Sequence, residues 1–171
     1  MNVLLGITGS VAAKLTPKIQ QALIDKGHEV KTVFTKSALY FHDGKSLFDE
    51  YDDDNEWSYY KNENKVLHID LTKWADRFVV APCTANTMAK IANGFCDNLV
   101  TSCVRAWDLN KRLDIAPAMN CKMWENPVTQ GHRKSLVNRG YFIHDPVEKE
   151  LFCGDIGIGA MAPIEDIFKY Y

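Results

Sequence analysis

The chain has 171 residues, of which 46% are hydrophobic and 25% charged, and its formal net charge is −2. This length and balance predict one folded domain over residues 1–171 and argue against a disordered chain. The small net charge argues against nucleic acid or a membrane surface as a partner, and no apolar run approaches the roughly 20 residues of a membrane span. The N-terminal stretch MNVLLGITGS lacks the basic start of a signal peptide.

The first half of the chain predicts a strand, a helix and a second strand. NVLLGIT is a short apolar run typical of a buried strand, and HEVKTVF alternates apolar and polar residues. Between them, VAAKLTPKIQQALIDKG has helical spacing, ends at Gly27 and places four apolar side chains on one face: Val11, Leu15, Ile19 and Leu23. The acidic run YDDDNE at 51–56 predicts a solvated loop.

The second half continues the alternation. DRFVVAP and RLDIAPAMN predict strands, ANTMAKIANG and DNLVTSCVRAW predict helices, a further helix begins at Glu125-Asn126-Pro127, and YFIHDP predicts the last strand. This pattern predicts the α/β class, as a three-layer α/β/α, Rossmann-like (flavodoxin-like) open parallel sheet in a single domain. Ligands of such sheets bind beyond the carboxyl ends of the strands, so we expect the loops GITGSVAAK, VAPCTANT and IAPAMNCKMW to meet at one edge.

Two of these loops open helices and admit two interpretations each. In GITGSVAAK, backbone N–H groups and the Ser10 hydroxyl can hold a phosphate, although the loop matches neither GxGxxG nor GxxxxGK[ST] and can equally be a tight turn. In VAPCTANT, the side chains of Thr84, Asn86 and Thr87 can cap a helix. They can also donate hydrogen bonds to the polar edge of a planar ring and to its phosphate.

Three further positions are candidates for chemistry. His68 has the residue type best suited to acid or base catalysis near neutral pH, yet a lone histidine is more often structural. Asn120 could offer amide donors to a carboxylate, whereas Met123 would by default be a core or interface residue. Cys153 stands in the glycine-rich stretch CGDIGIGAM. The chain has five cysteines and no CxxC pair, so we expect no metal site, no disulfide framework and a reducing, cytoplasmic location.

The ordered stretches GITGSVAA, HIDLTKWAD, APCTANT, PAMNCKMW and CGDIGIGAM together resemble the homo-oligomeric flavin-containing cysteine decarboxylases. The resemblance covers nearly the whole chain, and it is nearest to the eukaryotic branch that acts on 4′-phosphopantothenoylcysteine in coenzyme A synthesis. It implies FMN as the cofactor, and a homotrimer with the flavin at the contact between subunits. It implies a small-molecule substrate and no metal, nucleic acid or membrane.

The resemblance also implies roles for individual residues. His68 matches the active-site histidine, Asn120 the asparagine that binds the substrate carboxylate, and Cys153 the loop cysteine, while Met123 and Lys149 join the substrate-binding set. The positions that match flavin contacts are Gly9, Ser10, Val11, Thr35, Ser37, Thr84, Ala85, Asn86, Thr87 and Ala118. Some positions depart from the family: PCTANT replaces PASANT, and Glu150 stands where a second basic residue is common.

The implied reaction oxidises the substrate CH₂–SH group to a thioaldehyde, which places an electron sink beside the carbon that bears the carboxylate. Loss of carbon dioxide then gives an ene-thiol, which takes a hydride from the reduced flavin and a proton from Cys153. Two alternatives remain. A peptidyl-cysteine decarboxylase stops at the ene-thiol and usually lacks the reducing cysteine. A regulatory phosphatase-binding homologue would not need His68, Asn120 and Cys153 together in one chain. A flavin prenyltransferase shares the fold, but its motifs fit poorly.

Overall fold

The computed structural model of the chain describes residues 1–42, 49–150, 154 and 156–171. Within these residues, six parallel strands form one sheet in the order β3-β2-β1-β4-β5-β6, and two further strands pair antiparallel as a hairpin. The sheet strands are β1 (Asn2–Ile7), β2 (Glu29–Phe34), β3 (Asp49–Tyr51), β4 (Arg77–Cys83), β5 (Leu113–Pro117) and β6 (Phe142–Ile143). The hairpin strands are β7 (Val147–Glu150) and β8 (Ile156–Ala160).

Helices cover both faces of the sheet. They are α1 (Thr16–Ile24), α2 (Asp53–Glu63), α3 (Leu67–Trp74), α4 (Ala85–Asn93), α5 (Leu99–Arg105), α6 (Cys121–Glu125), α7 (Pro127–Asn138) and α8 (Ile164–Ile167). Short 3₁₀ helices span Val11–Leu15 and Ala38–Phe41. None of the helices in the described ranges is both long and apolar enough to cross a bilayer.

The core lies in two layers because the strands are apolar on both sides. In β4, Phe78 and Val80 pack towards α3, α4, α5 and α7, whereas Val79 and Ala81 pack towards α1 and α8. All four side chains are fully buried. Burial on both faces is what a parallel sheet covered by crossover helices requires. The predicted three-layer α/β/α class with an open parallel sheet is therefore confirmed.

The first helix is shorter than its apolar spacing predicts. The stretch predicted as one helix instead forms a 3₁₀ helix over Val11–Leu15 and then α1. Pro17 lies in the first turn of α1. Proline has no N–H to donate, so it fits a helix start and interrupts a helix that would run through it. The predicted end is confirmed, because Gly27 follows α1 with a φ of +76°.

The prediction of a solvated loop at 51–56 is wrong. Asp52 begins α2 as its N-cap, and its carboxylate accepts the backbone N–H groups of Asp54 at 3.0 Å and Asn55 at 3.1 Å. The Asn55 side chain in turn accepts the backbone N–H of Asp52 at 2.8 Å, which completes a capping box. The clustered acidic residues lie in the first turn of α2, where the helix dipole favours negative charge.

The prediction that YFIHDP is the last strand is also wrong, because the β7–β8 hairpin follows it. This hairpin lies directly against the loop after β5. The backbone N–H of Met119 donates to the carbonyl oxygen of Gly159 at 2.9 Å. A Cβ at Gly159 would lie 2.2 Å from the Met119 carbonyl oxygen, so only glycine permits this approach.

Candidate active site

The sheet reverses its strand order between β1 and β4, and this point carries a cleft at the carboxyl ends of the strands. Buried Thr8 joins the loops that follow the two strands. Its hydroxyl donates to the Pro82 carbonyl oxygen at 2.8 Å and accepts the backbone N–H of Thr84 at 2.9 Å. The loop after β5 is joined in the same way, because the Ala118 N–H donates to the Cys83 carbonyl oxygen at 2.9 Å.

We call the resulting cavity of about 320 Å³ the switch-point cleft. It is lined by Gly9, Ser10, Ser37, Thr84, Ala85, Asn86, Ala118, Met119 and Met123. The prediction that the three loops meet at one edge of the sheet is therefore confirmed. A Cβ at Gly9 would lie 2.3 Å from Ser37 Oγ, so the loops after β1 and β2 can approach this closely only with glycine there.

The hydroxyl groups of this cleft also cap helices, as the structural interpretation expects. Ser10 Oγ accepts the backbone N–H of Ala12 at 3.2 Å, and Thr84 Oγ1 accepts the backbone N–H of Thr87 at 3.2 Å. Capping fixes the side-chain oxygens next to helix N-termini, whose N–H groups favour an anion. Capping and ligand binding are thus compatible at these positions.

A second cavity of about 360 Å³, the lysine cleft, adjoins the first and shares Ser37 and Asn86 with it. Its other lining residues are Thr35, Lys36, Tyr40, Asp53, Thr87, Lys90, Asp97 and Asn98. Lys90 Nζ donates to Asp97 Oδ2 at 2.5 Å, and this hydrogen bond holds the pKa of the Asp97 carboxyl below its usual range. The predicted positions Thr35 and Thr87 therefore lie beside the switch-point cleft.

A third cavity of about 490 Å³, the hairpin cleft, shares Ser10, Ala118 and Met119 with the switch-point cleft. It contains the predicted positions Val11, Asn120 and Lys149, together with Lys14 and Glu150. The side-chain oxygen Oδ1 of Asn120 accepts the backbone N–H of Lys122 at 2.9 Å and so caps α6. The amide NH₂ of the same side chain is a hydrogen-bond donor of the kind that a carboxylate accepts. Cys153 lies outside the described residues.

His68 lies elsewhere, in a cavity of about 560 Å³ that we call the histidine cleft. This cleft shares Asp53, Asp97 and Asn98 with the lysine cleft, and it shares no residue with the switch-point or hairpin clefts. The structure therefore does not bring His68 and Asn120 into one cavity of a single chain.

Glu56 is a site residue that sequence reasoning missed. One of its carboxylate oxygens, Oε1, lies 2.6 Å from His68 Nδ1, and the other, Oε2, accepts the His68 backbone N–H at 3.1 Å. The acidic run at 51–56 predicts a solvated loop and therefore gives its carboxylates no role in a site. The sequence signal was the capping pattern Asp52 to Asn55, which starts a helix and places Glu56 on its first turn.

Large aromatic side chains are exposed at two of these clefts. Trp57 lines the histidine cleft and is 67% exposed, and Tyr40 lines the lysine cleft and is 85% exposed. Aromatic residues are enriched at protein–protein interfaces relative to the rest of the surface.

The described residues include four of the five cysteines. Cys83 is fully buried, and burial raises the pKa of its thiol, so the thiol stays protonated and unreactive. In the described part of the chain, no group of three or more His, Cys, Asp or Glu side chains is arranged to hold a metal ion.

A family model described as Flavoprotein matches residues 1–171. The phosphopantothenoylcysteine decarboxylase of Mus musculus is 48% identical over 169 residues, which cover 97% of this chain and 83% of the mouse protein. Among solved structures, a cysteine-to-serine mutant of PPC decarboxylase complexed with pantothenoylaminoethenethiol is 45% identical, with a TM-score of 0.94 over 98% of this chain and 94% of that one. The FMN binding protein AtHal3 is also 45% identical, with a TM-score of 0.89 over 98% and 92% of the two chains.

Proposed function

The chain belongs to the flavoprotein family, and we propose that it is a phosphopantothenoylcysteine decarboxylase. It converts 4′-phospho-N-pantothenoylcysteine to 4′-phosphopantetheine in coenzyme A biosynthesis, with FMN as its cofactor. The observation that carries this proposal is the meeting of three motif-bearing loops in one cleft at the switch point of the sheet.

The residues of the switch-point cleft fit FMN. The donors there are hydroxyls, amides and backbone N–H groups, and the small residues Gly9, Ala85 and Ala118 leave the backbone accessible to a planar ring. The residues that would hold FMN are Gly9, Ser10, Val11, Thr35, Ser37, Thr84, Ala85, Asn86, Thr87 and Ala118. When bound, FMN supplies reversible two-electron chemistry, so the overall decarboxylation needs no external oxidant.

The chain's own residues bind the substrate and move its protons. Asn120 holds the carboxylate that leaves, with Met123 and Lys149 beside it on the substrate side. His68 takes the thiol proton in the oxidative half, because imidazole can accept a proton near neutral pH. Cys153 returns a proton to the ene-thiol. A supporting observation is that the solved PPC decarboxylase complexed with an ethenethiol is a cysteine-to-serine mutant.

The separation of His68 from Asn120 supports a homotrimer whose flavin site lies at the subunit contact. In such an assembly, the histidine cleft of one subunit faces the switch-point cleft of the next. The exposed aromatic residues Trp57 and Tyr40 would be covered there, which is the usual fate of large apolar side chains at a stable interface. Light scattering on the purified protein would give three times the 19.4 kDa mass of the chain. A monomer would contradict the proposed assembly.

A cytoplasmic location accompanies this function. The described cysteines Cys83, Cys96, Cys103 and Cys121 are all free thiols, which is the usual state in a reducing compartment. Fractionation of cells that produce the protein at native levels would test this location.

The direct test of the activity is product analysis. Purified protein is incubated with 4′-phosphopantothenoylcysteine without oxygen, and the products are identified by mass. We expect flavin absorbance and a product that has lost one carbon dioxide and no hydrogen. An ene-thiol end product would indicate chemistry of the peptidyl-cysteine decarboxylase type. A colourless protein that inhibits a protein phosphatase stoichiometrically would support the regulatory alternative instead.

A further inference from the structure

We infer that Glu56 is a positioning residue that holds His68 in the Nδ1–H tautomer and thereby directs Nε2 towards the substrate. The consequence for turnover rests on the proposed function, whereas the tautomer itself does not. Glu56 belongs to α2 (Asp53–Glu63), which contains none of the five stretches that carry the family resemblance.

The two hydrogen bonds assign the proton on the ring. The His68 backbone N–H can only donate, so Glu56 Oε2, at 3.1 Å, must accept. An ionised carboxylate has no hydrogen to give, so Oε1, at 2.6 Å from Nδ1, must accept as well. Nδ1 therefore carries the hydrogen. In the neutral ring Nε2 then has the lone pair, which is the arrangement that a base acting through Nε2 needs.

Glu56 is held firmly enough for this role, because α2 is fixed to both neighbouring helices. Asp53 Oδ1 accepts the backbone N–H of Leu99 at 2.7 Å, which ties the start of α2 to α5. The Tyr59 hydroxyl donates to Asp70 Oδ2 at 2.9 Å, which ties the middle of α2 to α3. The Glu56 and His68 side chains are only 16% and 26% exposed, so water competes weakly for their hydrogen bond.

The same contact has a structural component, which any test must separate. The N-cap of α3 is Val66, which has no side-chain oxygen, and Glu56 supplies an acceptor to the first turn in its place. A purely structural Glu56 would affect the stability of α3 without selecting a ring tautomer. A positioning Glu56 affects both.

Glu56→Gln separates the two roles, because glutamine has almost the same shape and only one acceptor oxygen. The His68 backbone N–H can only donate, whereas the ring can change its tautomer, so that oxygen keeps the backbone N–H and the amide NH₂ faces Nδ1 and donates to it. The ring hydrogen then moves to Nε2, which can no longer act as a base. Tyr59→Phe is the matched control, since it removes a hydrogen bond of similar length between α2 and α3 and leaves His68 untouched.

The measurement is ¹⁵N NMR of the histidine side chains in the FMN-loaded protein at a pH where the rings are neutral, with His68 assigned from His68→Asn. We expect the Nδ1–H form in the unchanged protein and in Tyr59→Phe, and the Nε2–H form in Glu56→Gln. With substrate, kcat of Glu56→Gln should fall roughly 10- to 100-fold, by analogy with the carboxylates that orient metal-binding histidines, while KM stays nearly constant.

Three results would overturn the inference. An Nε2–H ring in the unchanged protein would overturn it even if Glu56→Gln did not fold. An identical tautomer in Glu56→Gln and the unchanged protein would do the same. So would a kcat that Glu56→Gln and Tyr59→Phe lower equally. A tautomer that switches as expected in a protein without decarboxylase activity would support the role of Glu56 and contradict the proposed function, so the two failures are distinguishable.

Discussion

The switch-point cleft and the histidine cleft are built in different ways. The first is made by loops that directly follow strands, and hydrogen bonds of the buried Thr8 hydroxyl and of the Cys83 carbonyl oxygen fix their relative positions. The second is made by α2, α3 and α5, carries several charged groups and borders the exposed Trp57. The comparison teaches that the loops of one chain suffice to line the cleft that we propose for FMN, whereas the proton chemistry proposed for His68 depends on how chains assemble.

The largest expected effect is a loss of turnover without a loss of bound FMN. In His68→Asn, turnover should fall by about 10²- to 10⁴-fold, because positioned acid–base groups typically contribute that much. FMN content should be unchanged, since the histidine cleft shares no residue with the switch-point cleft. Steady-state assays and visible spectra measure the two quantities, and loss of flavin from this variant would contradict the separation.

Asn120→Asp tests the substrate side. Aspartate keeps an acceptor oxygen for the Lys122 N–H and so preserves the cap of α6, but it places a negative charge beside the substrate carboxylate. We expect kcat/KM to fall roughly 10- to 100-fold, which corresponds to about 1.4 to 2.8 kcal/mol.

Asn126→Asp is the control for this variant. Asn126 caps α7 by accepting the Val128 N–H at 2.9 Å, and it lines none of the four clefts described above. Its kcat/KM should stay near that of the unchanged protein. An equal loss in both variants would point to helix capping and would remove Asn120 from carboxylate binding.

Gly9→Ala tests the flavin cradle. The added methyl group would lie 2.3 Å from Ser37 Oγ and 3.0 Å from the Ser37 carbonyl carbon, so the backbone must shift. Overpacking of this kind costs about 1 to 3 kcal/mol, and we expect FMN affinity to fall roughly tenfold or more. Gly131→Ala in α7 is the control, because a Cβ there meets nothing within 4 Å. Fluorescence titration of the flavin compares the two, and equal affinities would contradict a narrow cradle at Gly9.

Asp114, at the amino-terminal end of β5, should affect stability and leave catalysis unchanged. Its fully buried carboxylate receives hydrogen bonds from Arg112, His144 and Tyr171. Burial alone would raise the pKa of this carboxyl, but the hydrogen bonds outweigh burial and hold the pKa below its usual range. Asp114→Asn should lower the free energy of unfolding by roughly 3 kcal/mol at neutral pH.

The sign of the pH dependence follows from that lowered pKa. The stabilisation by Asp114 is present above the pKa of the unfolded carboxyl, and it is lost as the pH falls through the lower pKa of the folded state. The difference in unfolding free energy between Asp114→Asn and the unchanged protein should therefore shrink in acid, as denaturant titrations at several pH values would reveal. A constant difference down to strongly acidic pH would contradict the ionised, hydrogen-bonded carboxylate.

The sequence predicted the sheet and the switch-point cleft because local signals and topology agree there. Apolar strands end in loops with glycine, hydroxyl and amide residues, and parallel topology brings those ends together. The α2 region was predicted wrongly because its charged residues imitate a solvated loop, whereas the Asp52 capping box starts a helix. The β7–β8 hairpin was not predicted because VEKE is exposed and IGIGA is glycine-rich. Neither segment has the apolar pattern that predicts a strand.

The separation of His68 and Asn120 into different clefts could not be predicted from the sequence. Both residues lie in motifs that resemble the same family. The order of motifs along a sequence does not show whether two residues meet within one chain or between two chains. The separate clefts that hold them are a property of the three-dimensional structure, and their proposed meeting is a property of the assembly.

The central claim is most directly tested by mixing two impaired subunits. His68→Asn and Asn120→Asp are produced together in one cell, and the mixed assembly is purified by different tags and assayed with 4′-phosphopantothenoylcysteine. If each site combines His68 of one subunit with Asn120 of another, some sites in the mixed assembly have both natural residues, and activity returns to a substantial fraction of the unchanged protein. If both residues served the same site from one chain, every site would lack one of them, and the mixed assembly would be no more active than its parents.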